Sequence, residues 1–89
     1  MEKVYDLEER TFQFAKNIRF FTKSLPYTIA NQEDSKQVIR SSASIGANYI
    51  EANESLSKKD FLYRIRICLK ESKGSSSFIR LIIESNDVR

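Results

Sequence analysis

Apolar residues that recur at alternating steps of three and four are the feature that most restricts how this chain can fold. The first such row is Val4, Leu7, Thr11, Phe14, Ile18, Phe21 and Leu25. The second is Val38, Ser42, Ile45, Tyr49 and Ala52. The third is Phe61, Ile65, Cys68, Ser72, Ser75, Ile79 and Ile82. This heptad spacing is typical of helices packed almost parallel to their neighbours. We therefore predict an all-α fold, an antiparallel up-down bundle of three long helices.

Local signals predict where the helices begin and end. Asp6 with Glu9, and Ser57 with Asp60, have the spacing of capping boxes at helix N-termini. Proline disfavours helical geometry in the preceding residue, so Pro26 closes the first helical region. We predict one domain, 1–89, with helices at about 6–24, 32–54 and 58–85. The short link between the last two requires them to be antiparallel.

Three segments give weaker signals. Asn31 followed by Asp34 predicts the cap of the second helix. The small residues of 41–47 predict a close crossing by another helix, because Gly costs about 1 kcal/mol against Ala in an exposed helix. Residues 73–77 favour helix weakly, but the apolar register agrees on both sides, so we predict a continuous third helix and a frayed tail at 86–89.

The residue types offer little for catalysis. Histidine is absent, which excludes Ser-His and Cys-His pairs and the Glu-x-x-His metal motif. Glu51 and Glu54 share a helix face that a solvated surface explains, and Cys68 lies on an apolar row, where cysteine is usually a small buried hydrophobe. We expect no enzymatic activity, no cofactor and no metal.

Positive charge is concentrated in the third helix. The net charge is +3 and the pI about 9.1, and residues 58–80 hold seven cationic residues against two acidic ones. Five cations fall within a wedge of roughly 80° at 100° per residue. They are Lys59, Arg66, Lys70, Lys73 and Arg80. We call them the α3 stripe and predict that they bind RNA, DNA or an acidic protein. A smaller cluster, Lys16, Arg19 and Lys23, could extend it.

The cellular location follows from what the sequence lacks. A single cysteine permits no disulfide within the chain and suits a reducing compartment. No secretory signal and no apolar run of membrane-spanning length is visible. We expect a cytoplasmic protein without a membrane partner.

Two adjoining segments resemble a known family. The run from Arg40 to Asn53 holds small residues, then Ser44-Ile45 and Ala47-Asn48, and the run from Ser57 to Glu71 follows as a Phe-containing helix. This pattern resembles the bacterial four-helix-bundle proteins encoded in intervening sequences of 23S ribosomal RNA genes. That family is related to the accessory protein of diversity-generating retroelements.

The resemblance implies further properties. Members form up-down bundles that assemble into homopentamers, with basic surfaces associated with nucleic-acid or reverse-transcriptase partners, and no enzymatic activity is implied. The family has a fourth helix, whereas these 89 residues hold three, so we expect apolar seam on helices 1 and 3 to be uncovered. Asn53 also replaces the usual Gly, and serines at 75–77 replace bulkier residues.

Three functional hypotheses follow. The first is a non-enzymatic oligomeric scaffold whose α3 stripe contacts nucleic acid or an acidic protein. The second is a purely structural, self-assembling bundle whose charges only keep it in solution. The third is a small all-α enzyme of the chorismate-mutase type, which needs cations converging inside the bundle rather than on outward positions.

Overall fold

Three α-helices make up the part of the protein that the structure describes. The computed structural model describes residues 6–87. Within that range the elements are α1 (Leu7–Lys23), α2 (Ile29–Asn53) and α3 (Lys58–Ser85), and no strand occurs between residues 6 and 87. The all-α prediction is confirmed, and the predicted bounds of the first and third helices agree within one residue. Val4, the first residue of the predicted seam on helix 1, lies outside the described residues.

Side-chain caps start each helix. The Asp6 carboxylate accepts from the Glu9 amide at 3.2 Å. The Ser57 hydroxyl accepts from the Asp60 amide at 3.1 Å. Each bond satisfies one of the backbone donors that the first turn of a helix leaves unpaired. Both predicted N-caps are therefore confirmed.

The second helix begins earlier than predicted. Its cap is Thr28, whose hydroxyl accepts from the Asn31 amide at 3.1 Å, so the prediction that Asn31 and Asp34 cap this helix is wrong. Thr28 is extended and offers its oxygen one turn sooner, as soon as the chain has passed Pro26. The side chain of Asn31 does not cap the helix, and its Nδ2 donates to the Pro26 carbonyl at 2.9 Å.

The far end of α3 is tied to the start of α2. Asn86 caps α3, and its amide donates to the Ile82 carbonyl at 2.8 Å. Asn31 and Asn86 also exchange amide hydrogen bonds of 2.9 and 2.7 Å. The prediction that the tail frays from Asn86 onward is wrong at this residue, and its last positions, 88 and 89, lie outside the described residues. The predicted continuity of α3 through 73–77 is confirmed.

Polar pairs show that α2 and α3 run antiparallel. From one contact to the next, the residue numbers rise along α2 and fall along α3. The pairs are Asn31 with Asn86, Ser41 with Ser75, Ile45 with Cys68, and Asn48 with Arg64. The four-residue connection 54–57 between the helices requires this arrangement.

Small residues let the backbones approach, as predicted. Ser41 and Ser75 are 1% and 0% exposed, and their hydroxyl oxygens lie 2.7 Å apart. A Cβ atom at Gly46 would lie 3.0 Å from the Thr11 hydroxyl oxygen of α1. Larger side chains at these three positions of α2 and α3 would push the helices apart, because interiors pack without spare volume.

The helices are arranged around α2. It packs against both others, whereas α1 and α3 have no Cα pair within 8 Å. Ile18, Val38 and Ile82, one from each helix, form the buried core. Partly buried apolar residues surround this core, namely Phe14, Phe21, Leu25, Ile39, Phe78 and Ile79. The backbones of α1 and α3 are thus each closest to α2, and side chains of all three helices meet in the core.

Candidate nucleic-acid interface

The α3 stripe is a continuous solvent-facing row. Its five members are exposed. Lys59, Arg66, Lys73 and Arg80 occur at every seventh position, and Lys70 lies between them on the same face. At 1.5 Å per residue the row is about 32 Å long. The helix therefore holds the five predicted site residues on one face.

Most of the stripe is free of ion pairs. Of the five cations of the stripe, only Arg80 has an acidic partner in the described part of the chain. Its Nε lies 3.5 Å from Oε2 of Glu84. Both side chains are well exposed, so this pair is weak. Lys59, Arg66, Lys70 and Lys73 have no carboxylate within 4.0 Å among residues 6–87. Their charge is available to an external anion.

A neighbouring cation has a structural role instead. The Arg64 guanidinium, half-buried, donates to the Asn48 side-chain oxygen at 2.9 Å. The Asn48 amide in turn donates to the carbonyl and hydroxyl of Ser44, at 2.9 and 3.0 Å. Arg64 also lies 5.8 Å from the Tyr63 ring centroid. Because these contacts fix Arg64 against α2, it joins the two helices and is not part of the stripe.

The positive cluster of α1, which we call the α1 patch, lies on a different helix from the stripe. Lys16, Arg19 and Lys23 are exposed, and Lys23 lies 5.5 Å from the Phe20 ring centroid. No Cα atom of α1 lies within 8 Å of a Cα atom of α3, and that this cluster extends the stripe stays a prediction. Tyr63, 60% exposed, is the aromatic residue next to the stripe.

A groove lies between α1 and α3, and we call it the α1/α3 groove. The sequence predicted uncovered apolar residues on these two helices but not a groove between them. Its volume is about 470 Å³. Its lining consists of Leu7, Arg10, Thr11, Phe14, Ile45, Ser72, Ser76 and Ile79. Along α3 beside it, Leu62, Leu69 and Ile83 remain 45%, 59% and 54% exposed. On the predicted seams themselves, Leu7 of α1 and Phe61 of α3 remain 38% and 39% exposed, so the expected uncovering is observed at these two positions.

The groups considered for catalysis are placed as follows. Cys68 is partly buried and donates to the Ile45 carbonyl at 3.4 Å. Desolvation raises the pKa of its thiol above the usual value, which favours the unreactive protonated form. Glu51 of α2 and Glu54, the C-cap residue that follows this helix, are both exposed. Among residues 6–87 no group of three or more His, Cys, Asp or Glu side chains has the arrangement of a metal site.

Fold and surface together define the class of protein. Between residues 6 and 87 it is a small bundle of three helices, with a solvent-facing row of cations along one helix and an apolar groove beside that row. No helix in the described range is long and apolar enough to cross a membrane. The family model described as 23S rRNA-intervening sequence protein matches residues 3–88, and the chain belongs to this family. The resemblance seen between Arg40 and Glu71 is thereby confirmed.

Comparison with curated proteins gives no match, and comparison with solved structures gives none either.

Proposed function

We propose that this protein is a non-enzymatic, self-associating helical bundle that binds the phosphate backbone of nucleic acid through the α3 stripe. The observation that carries the proposal is the row itself: five exposed cations on one rigid helix, four of them without an acidic partner in the described part of the chain. The family resemblance, with its basic surfaces and nucleic-acid partners, supports the same function.

Unpaired surface cations suit this role because binding breaks no protein ion pair. Each phosphate that a cation neutralises releases condensed counterions, which makes binding depend steeply on salt. For five contacts the slope of log K against log salt is about −3.5 on a single strand and about −4.5 on a B-form duplex. Raising salt from 50 to 200 mM should weaken binding on the order of 100-fold for a single strand.

Self-association is supported by the apolar surface that one bundle leaves uncovered. Phe12 and Phe20 of α1 and Ile50 of α2 are 59%, 56% and 42% exposed. Leu62 and Leu69 add to this surface on α3. Large exposed apolar patches are more frequent at interaction surfaces than on the rest of a protein's surface. The pentamer implied by the family resemblance would bring several stripes into one particle and strengthen binding through multivalency.

The binding test is a charge reversal with a matched control. Arg66→Glu, Lys70→Glu and Lys73→Glu together change the stripe by six units of charge. Lys16→Glu, Arg19→Glu and Lys23→Glu change the α1 patch by the same amount. In a salt-dependent gel shift with structured RNA, the stripe variant should lose the shift and the α1 variant should keep most of it.

Equal losses in both variants would show that net charge, not the stripe, drives the binding. If neither the original chain nor the variants bind RNA or DNA at low salt, while a defined oligomer persists, the purely structural function replaces this one. Binding of an acidic protein without any nucleic-acid shift would also overturn the proposal.

Sedimentation velocity tests self-association separately. We expect a species larger than one chain at micromolar concentration, because the exposed apolar residues lie on all three helices. A monomer across this concentration range would refute this half of the proposal and leave the gel-shift result untouched.

A further inference from the structure

A recess lies where α1 turns into α2, and we call it the turn recess. It is bounded by the last turn of α1, by the connection 24–28 and by the first two turns of α2. Its volume is about 320 Å³. Sites for small ligands occupy roughly 300–1,000 Å³, so the turn recess is sized for one small group and not for a helix.

An uncovered aromatic side chain forms one wall of the turn recess. Tyr27 lines it and is 90% exposed, and its hydroxyl has no hydrogen-bond partner among residues 6–87. Pro26, which precedes it, has a fixed φ and stiffens the connection that carries the ring. Every nucleic-acid base has a π-face, and bases stack on exposed aromatic rings whatever their sequence. The ring is therefore available to a flat aromatic ligand.

The recess also offers polar groups that the fold does not use. The Gln32 backbone N–H donates to the Thr28 carbonyl at 2.9 Å, but its side-chain amide has no partner among residues 6–87. The Ser35 hydroxyl, from the next turn of α2, is likewise unpaired in that range. An amide carries both a donor and an acceptor, and the edges of an unpaired base display both. The recess can thus hold a base by its face and by its edge.

Cations connect α1 to the turn recess. Lys23 is the one charged residue of its lining, and the Lys23 Nζ lies 5.5 Å from the Phe20 ring centroid. Phe20 is itself 56% exposed. Lys16 lies four residues before Phe20 and Arg19 four before Lys23, so each pair shares a face of α1. The α1 patch therefore combines three cations with an aromatic ring and leads directly to the recess.

The carboxylates at this end of the bundle do not line the turn recess. Glu33 lines a neighbouring recess that shares Tyr27 and Gln32, and it pairs with Lys36 at 3.4 Å. Three further acidic residues belong to this end of the helices, namely Asp34, Glu84 and Asp87. None of them lines the turn recess, and Glu84 pairs with Arg80. The charge that the lining itself presents is therefore positive.

We propose that the turn recess binds one unpaired base of a single-stranded nucleic acid. This base stacks on Tyr27 with its edge at Gln32, and a neighbouring base lies on the face of Phe20 opposite Lys23. The phosphates between them follow the cations of the α1 patch. The inference rests on the proposed function in that the ligand is nucleic acid, but it does not involve the α3 stripe. The stripe contacts phosphates alone, whereas this site distinguishes unpaired bases from paired ones.

The experiment compares two labelled single strands with the same number of phosphates. One has six deoxyadenosines and the other six abasic sugars. Binding to the 89-residue chain is followed by fluorescence anisotropy at low salt. The α3 stripe attracts both strands equally, so a difference in affinity reports contact with bases. Because stacking on an aromatic side chain strengthens binding roughly 5- to 150-fold per base, the strand with bases should bind at least tenfold more tightly.

Substitutions at Tyr27 identify the site. Tyr27→Ala should reduce the preference for bases at least fivefold and leave the affinity for the abasic strand unchanged. Tyr27→Phe retains the ring and should retain the preference. Tyr63→Ala is the control, because Tyr63 is 60% exposed beside the stripe and does not line the recess. Both tyrosines are exposed, and circular dichroism verifies that each variant keeps its helix content.

Two outcomes of this comparison would overturn the inference. One is equal affinity for the two strands, and the other is an equal effect of Tyr63→Ala. Deoxyadenosine monophosphate, added as an unlabelled competitor, should bind at least tenfold more weakly than the strand, because it reaches one aromatic ring and fewer cations. Equal affinity would show that the recess takes a free nucleotide instead of a strand.

The stripe and the turn recess can fail separately. Arg66→Glu, Lys70→Glu and Lys73→Glu together should weaken both strands and retain the ratio of their affinities. If the gel shift with structured RNA is absent while this ratio remains, only the stripe is refuted. If the gel shift is present and the ratio is absent, only the turn recess is refuted.

Discussion

The buried hydroxyl pair between α2 and α3 gives the sharpest test of how the fold is held. The Oγ atoms of Ser41 and Ser75 lie 2.7 Å apart, and both residues are almost fully buried. Ser41 also contacts the Val38 carbonyl at 3.4 Å, whereas Ser75 has no further hydrogen-bond partner in the described part of the chain. Because only Ser41 has a second partner, Ser41→Ala and Ser75→Ala should lower the free energy of unfolding by different amounts.

The magnitudes follow from what each substitution leaves behind. Ser41→Ala strands a buried hydroxyl on Ser75 and should cost about 2 kcal/mol in the free energy of unfolding. Ser75→Ala leaves Ser41 its contact with Val38 and should cost about 1 kcal/mol. The double variant removes both polar groups and gains helix propensity, so its cost should be only about 0.5 kcal/mol.

A double-mutant cycle by urea unfolding at one fixed protein concentration measures the coupling. The expected interaction energy is about −2.5 kcal/mol, and Ser41→Ala alone should lower Tm by roughly 10 °C. Ser41→Ala combined with Ser77→Ala is the control, because Ser77 is exposed and shares no hydrogen bond with the pair. If the double variant loses as much free energy of unfolding as the two single variants together, the two hydroxyls are not coupled and the reasoning is refuted.

Two further predictions concern glycine and the end of α3. Gly74→Ala should raise the free energy of unfolding by about 0.5–1 kcal/mol, since a Cβ there meets nothing within 4 Å and alanine favours helix. Gly46→Ala should fail to show this gain in the same urea assay, because its Cβ would lie 3.0 Å from the Thr11 hydroxyl; equal stabilisation would contradict the close crossing. Asn86→Ala should cost about 1–2 kcal/mol and accelerate hydrogen exchange in the last turn of α3, and unchanged exchange would show that the amide pair is dispensable.

The existence of the three helices was predictable because the spacing of the apolar residues and the N-cap signals indicated the same segments. The apolar rows marked all three helices, and Asp6 and Ser57 lie within one residue of the observed starts of α1 and α3. The start of α2 was missed because Thr28, Asn31 and Asp34 are all acceptable caps, and local sequence does not show which of them is reached first.

The stripe was predictable and the groove was not, for related reasons. A row such as Lys59 to Arg80 depends only on the geometry of one helix. The groove depends on which helices touch, and heptad spacing gives the apolar face of α1 and of α3 without giving their separation. Leu69 shows the difference, since it belongs to an apolar row and yet is 59% exposed.

The backbone of α1 approaches that of α2 within 8 Å but not that of α3, and this distributes stability unevenly along the chain. Detachment of α1 would expose Val38 and Ile82 but would leave the hydrogen bonds between α2 and α3 intact. The amide protons of α1 should therefore exchange through a partial opening that costs less than global unfolding. Any molecule that bridges α1 to α3 would raise the free energy of that opening by its own binding energy. Amide protection of α1 would then report occupancy of the α1/α3 groove, which Ile45 of α2 also lines.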